Sequence, residues 1–114
     1  MTSIKLQKLL HHKLQQRIIN DGYGMRGKSK WIIEAIEMFL EIPDYPSLVD
    51  IADDMNQFSE ILSIRLPEEL MSKIDGAIVK VRRRYPVLEG VKSNLVRASI
   101  MQRLLREPTS VAEV

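Results

Sequence analysis

The stretch Ile61-Leu62-Ser63-Ile64-Arg65-Leu66-Pro67-Glu68-Glu69-Leu70 narrows the folds open to this chain more than any other. Leu62, Ile64 and Leu66 point one way and Ile61, Ser63 and Arg65 the other, the period-two pattern of a half-buried strand. Pro67 ends that strand and suits the first position of a helix, where its missing N–H is no loss. Glu68 and Glu69 follow in the first turn, where carboxylates favour the positive end of the helix dipole. The same plan occurs earlier. Ser3-Ile4-Lys5-Leu6 followed by Leu10 matches Ser63-Ile64-Arg65-Leu66 followed by Leu70, an offset of 60 residues. Each copy holds one strand, and a lone strand leaves its backbone polar groups without partners. The two strands must therefore meet each other or pair between chains. The economical solution is an antiparallel ribbon over a floor of four helices, with Ile4, Leu6, Leu62, Ile64 and Leu66 on its inner face.

In the first copy a helix is expected from Leu9 to Asn20, with Leu10, Leu14 and Ile18 as its apolar stripe and Leu9 and Ile19 widening it. Asp21-Gly22-Tyr23-Gly24 stops it, because glycine takes the left-handed conformation that ends helices. Ser29 is expected to cap a second helix whose apolar face is Trp31, Ile32, Ala35, Ile36, Phe39 and Leu40. Pro43 and Pro46 stop that helix. In the second copy Leu70, Ile74, Ala77, Ile78 and Val81 mark a helix that closes on Arg82-Arg83-Arg84. Ser93 leads into a final helix carrying Leu95, Val96, Ile100, Leu104 and Leu105. Lys28-Ser29-Lys30-Trp31-Ile32 aligns with Lys92-Ser93-Asn94-Leu95-Val96 at an offset of 64, so strand, helix and serine-capped helix recur in order. Between the copies, Leu48, Ile51, Ala52 and Met55 have helical spacing, with Ser47 as the cap. The chain divides into a first unit (residues 1–41), an acidic connector (42–60), a second unit (61–107) and a tail (108–114).

Composition excludes several classes. At 114 residues, 45% hydrophobic and 28% charged, the chain suits one globular domain or two small halves sharing a core. No apolar run approaches the roughly 20 residues of a membrane span, and no signal-peptide core is present, so a cytoplasmic protein is expected. With no cysteine there is neither a disulfide framework nor a thiolate metal site. The net charge of +2 hides a segregation: residues 1–40 carry +4, residues 41–60 carry −6 and residues 61–114 carry +4. Two basic halves around an acidic connector point to an anionic partner.

The order of strand, helix and serine-capped helix resembles the ribbon-helix-helix DNA-binding proteins, the superfamily of the MetJ and Arc repressors. The resemblance covers roughly residues 2–41 and 61–106. Leu62-Ser63-Ile64-Arg65-Leu66-Pro67 fits the strand pattern closely, whereas Gln7-Lys8 stands in the first half where Pro67-Glu68 stands in the second. Two units in one chain are similar to the tandem TraY-type proteins of conjugative plasmids. The fold implied is mainly α with a two-stranded antiparallel β-ribbon, a tandem pseudo-dimer of ribbon-helix-helix units.

The outward ribbon face comprises Ser3, Lys5 and Gln7 from one strand and Ile61, Ser63 and Arg65 from the other. These are side chains suited to base edges in a major groove: Lys and Arg donate to guanine, Gln pairs with adenine, Ser adapts, and Ile touches a thymine methyl. The resemblance carries base reading onto Lys5 and Arg65, with Ser3 and Ser63 beside them. It also implies that the helix starts Lys28-Ser29-Lys30 and Lys92-Ser93-Asn94 clamp phosphates. Neither first turn holds an acid, and free N–H groups there form a ready anion site. Arg26 is grouped with the first clamp. Arg82-Arg83-Arg84 serve either as a further phosphate contact or as a soluble helix end.

His11-His12 lack a third ligand and read as exposed helix residues. Trp31 and the methionines read as core. No nucleophile, base and oxyanion donor gather in the pattern, so the chain reads as a non-enzyme without cofactor or metal. The expected partners are double-stranded DNA, further copies of the chain as a homo-oligomer or side by side on the DNA, and the transcription or transfer machinery. The expected role is regulation of transcription, with transfer genes of a mobile element as the implied target. The alternatives are an accessory protein at a transfer origin, and an antitoxin that grips its toxin through the connector.

Overall fold

The computed structural model describes residues 2–24, 26–52 and 60–106. Its elements follow in the order β1 (Thr2–Leu6), α1 (Lys8–Asn20), α2 (Lys28–Leu40), α3 (Tyr45–Ala52), β2 (Glu60–Ile64), α4 (Glu68–Arg84) and α5 (Val91–Leu105). The architecture is mostly helical with one two-stranded antiparallel sheet. Thr2 lies opposite Ile64, Ser3 opposite Ser63, Ile4 opposite Leu62, Lys5 opposite Ile61 and Leu6 opposite Glu60. The strands thus pair within one chain. Ile4, Leu6, Leu62 and Ile64 are buried beneath the ribbon, as the alternation requires. β2 ends at Ile64, two residues before Leu66, which is half-buried.

Each strand turns directly into a helix. Gln7 and Pro67 are the N-caps of α1 and α4, with φ,ψ of −65°,144° and −62°,151°. Their carbonyls accept the first helical hydrogen bonds, from His11 N–H and Met71 N–H, both at 2.9 Å. Pro67 therefore stands one position before the helical residue expected of it. The end of α1 follows the expected stop: Gly22 N–H donates to Ile19 C=O (3.0 Å) and Tyr23 N–H to Ile18 C=O (3.1 Å), with Gly22 at φ 84°. This is the paired-bond glycine stop that satisfies a helix's last carbonyls.

The stripe of α1 is narrower than expected. Leu14 and Ile18 are buried and Leu10 packs against the core, but Leu9 and Ile19 are exposed. At about 100° per residue, Leu10 to Ile18 spans only about 80°, which leaves Leu9 and Ile19 on the far side. His12 is exposed, whereas His11 is half-buried, contrary to the expectation for the pair. Trp31 is fully buried, and Met38, Met71 and Met101 are half-buried.

α3 starts at Tyr45, ahead of the expected Ser47 cap. Pro46 is tolerated in the first turn, where an N–H has no intrahelical acceptor to lose. Ser47 instead donates its hydroxyl to Asp44, reaching Oδ2 at 2.7 Å. Met55 falls outside the described residues.

α5 is the central element, packed against α1, α2, α3, α4 and β1. It is buried without interruption from Asn94 to Ile100, rather than along one stripe, while Leu105 near its end is exposed. Three of its polar side chains, Asn94, Arg97 and Ser99, are buried and make hydrogen bonds within the fold. Ser99 Oγ donates to Leu95 C=O (2.8 Å), and Arg97 Nη1 donates to Lys5 C=O (3.0 Å), tying α5 to β1. Among the described residues no helix is long and apolar enough to cross a membrane.

Candidate nucleic-acid interface

The outer face of the ribbon presents Ser3, Lys5, Ile61 and Ser63, all exposed. Arg65 is exposed as well and continues the same alternation past the last pair. Ser3 and Ser63 face one another at the centre, their hydroxyls sharing a hydrogen bond of 3.1 Å. Lys5 stands across from Ile61, and Arg65 is four residues beyond Ile61 on β2. The two cations are thus about 13 Å apart along the strip. Glu60 has the parity of the inner face, so the described outer residues include no acid. Gln7 differs from the rest: it is half-buried at the N-cap of α1, off the end of the strand.

The second group of expected residues lies at the starts of α2 and α5, and both starts are shifted. The N-caps are Gly27 and Gly90, not Ser29 and Ser93. Ser29 and Ser93 sit inside the first turns. Backbone geometry explains the substitution. A Cβ on Gly27 would lie 2.4 Å from Tyr23 C=O, and Gly90 holds φ 62°, which side-chain-bearing residues seldom adopt. No side-chain capping bond and no first-turn acid is present at either start. α4 differs, with Glu68 and Glu69 in its first turn.

Lys28, Ser29, Lys92 and Ser93 are half-buried at these starts, and Lys30 is exposed with its ammonium 5.9 Å from the Tyr23 ring centre. Asn94 departs from the expected set. It is 1% exposed. Its amide donates to Glu89 C=O (3.4 Å) and its carbonyl oxygen accepts from Arg97, so it is a packing residue, not a phosphate contact. A groove of about 260 Å³ lined by Gln15, Ile18, Ile19, Gly24 and Lys28 opens beside the start of α2.

Two polar networks escaped sequence reading. Arg17 bonds Asp21 (3.1 Å) and also caps the end of α5 by donating to Leu104 C=O (3.2 Å) and Arg106 C=O (2.6 Å). Asp21 in turn accepts from Trp31 Nε1 at 2.9 Å. Arg103 donates to Trp31 C=O (2.7 Å) and Tyr23 Oη (2.9 Å), stacks 4.4 Å from the Trp31 ring centre, and pairs with Glu34 at 3.5 Å. Together they lock the 21–24 turn, α2 and the end of α5, and so hold the start of α2 in place. The only signal in sequence is a cation one turn before Asp21.

Of the basic triplet, Arg84 bonds Asp44 and lies over Tyr85, while Arg82 and Arg83 are exposed. Asp44 is held below its ordinary carboxylate range by the Ser47 hydroxyl first and the Arg84 guanidinium second. Among the described residues no three His, Cys, Asp or Glu side chains gather as a metal site. Comparison with protein-family models, curated proteins and solved structures finds no match.

Proposed function

We propose that this protein is a sequence-specific reader of double-stranded DNA that regulates transcription, laying its β-ribbon in the major groove. The observation that carries the reading is the outer strip itself: paired serines at the centre, a cation toward each end, and no described acid. A two-stranded ribbon fits the major groove, and Lys or Arg there donates to guanine O6 and N7. About 13 Å between Lys5 and Arg65 corresponds to roughly four base-pair steps. The uncapped, acid-free starts of α2 and α5 suit backbone phosphates, which position without reading sequence.

The same reading treats the chain as a tandem ribbon-helix-helix pseudo-dimer. The 60-residue repeat equates Ser3 with Ser63, and those two residues are also cross-strand partners. A local twofold axis through that pair would exchange the copies. Lys5 and Arg65 then become equivalent positions with different side chains, so the bound site is an imperfect palindrome.

The decisive test is selection from a randomised duplex pool, followed by gel shifts on the selected site. A defined motif is expected, with Lys5→Ala and Arg65→Ala each relaxing one position. If neither substitution changes affinity or site choice, the ribbon does not read bases.

A further inference from the structure

An open groove of about 230 Å³ lies on α1, lined by Lys13, Gln16, Arg17 and Asn20, with Leu104 of α5 beside them. The 60-residue offset carries those α1 positions onto Lys73, Gly76, Ala77 and Lys80 of α4, and the 64-residue offset carries Leu104 onto Leu40. At Lys80 the second copy carries α3. The Lys80 ammonium stands 5.0 Å from the centre of the Tyr45 ring, Asp44 just before it bonds Arg84, and Val49 of α3 is fully buried. α3 belongs to the chain that follows α2. The corresponding occupant of the α1 groove is therefore the chain that follows α5.

That chain starts in the right place and has the right sequence. Arg17, a groove residue, donates to the carbonyls of Leu104 (3.2 Å) and Arg106 (2.6 Å), so the chain leaves α5 at the rim of the groove. Beyond the described residues, Ser110-Val111-Ala112-Glu113-Val114 matches Ser47-Leu48-Val49-Asp50-Ile51 position by position, at an offset of 63. Lys13 is exposed and makes no ion pair among the described residues, which leaves its charge for an incoming acid.

We propose that residues 110–114 dock in the α1 groove, with Ala112 innermost, as Val49 is in α3, and Glu113 toward Lys13. The docking rests on the tandem repeat and not on DNA binding, so selection of a duplex neither supports nor removes it. Ala112 is smaller than Val49, and Pro108 stands where Tyr45 does, so the hold is weaker than that of α3 and one substitution releases it.

The test is heteronuclear NMR on the full chain, which reads backbone order residue by residue. Val111, Ala112 and Glu113 should be as ordered as α3, at every protein concentration. Ala112→Asp and Gln16→Asp, both outside the core, should each release them. Ala112→Asp should also shift the amide signals of Lys13, Gln16 and Asn20 and leave those of Lys73 and Lys80 in place.

Three outcomes overturn the proposal. They are residues 111–113 no more ordered in wild type than in Gln16→Asp, groove signals that ignore Ala112→Asp, and order that rises with protein concentration, which would put a second copy in the groove.

Discussion

Gln7 and Pro67, 60 positions apart, hold the same backbone conformation to within a few degrees and accept the same first helical hydrogen bond at 2.9 Å. One does so with a ring that fixes φ, the other without. Pro67→Gln should therefore leave the native structure unchanged and cost about 0.4–1 kcal/mol by loosening the unfolded chain. Urea denaturation checks this: a lower midpoint with an unchanged slope is expected, and a changed slope would mean that the substitution altered the compactness of the folded or unfolded state.

Lys5→Ala and Arg65→Ala should act at opposite ends of the bound site. Each is expected to cost about 1–3 kcal/mol at its own base pair and little on duplexes already mismatched there. Quantitative gel shifts across single-base variants of the selected motif measure this. Two affected positions that coincide would contradict the register.

Lys28→Ala and Lys92→Ala should weaken every duplex about equally, because the starts of α2 and α5 are assigned to phosphates. Each should lower the slope of log affinity against log salt by about one. A change of sequence preference without a change of salt slope would count against the assignment.

Arg103→Met should destabilise the fold by about 2–3 kcal/mol, since Tyr23 and Trp31 each lose a charged donor in a half-buried setting. Arg82→Ala is the matched control. Arg82 is exposed, so a change within about 0.5 kcal/mol is expected. Equal effects of the two substitutions in thermal or urea melts would refute the role given to the Arg103 network.

The Asp44 carboxyl is depressed below its ordinary 3.8, first by Ser47 and then by Arg84. A carboxylate lowered on folding contributes stability in full above its unfolded value, and the contribution disappears as pH falls through the folded one. The contact is fully solvated, so the effect on stability is small and is best read directly. A side-chain NMR titration should show Asp44 moving up toward 3.8 in Ser47→Ala, with a smaller rise in Arg84→Ala.

The strands, an antiparallel ribbon made from them and four of the helices were legible from period and punctuation, whereas closure of the ribbon within one chain was not. An alternation around Ile4 and Ile64 has few other solutions, and Gly22 is a local stop signal. What escaped depends on three-dimensional neighbours. Leu9 and Ile19 are apolar, yet the angle they subtend on α1 puts them in solvent. Asn94 and Arg97 are polar, yet α5 is surrounded, and Arg97 is buried because it reaches the Lys5 carbonyl. Its counterpart in the 64-residue offset is Ile33, so the repeat itself gives no hint of it. Ser29 and Ser93 were natural choices as caps. The close approach of Tyr23 to Gly27 and the left-handed Gly90 shift both helix starts upstream, which no propensity reveals.

The pairing of β1 with β2 inside a single polypeptide has a thermodynamic consequence. Ribbon formation is a first-order event, with the partner strand always present at the effective concentration set by the intervening chain. Diluting the protein cannot take the surface apart, so even a few molecules per cell would carry it assembled, and affinity for any ligand it binds need not be shared with the work of bringing two subunits together.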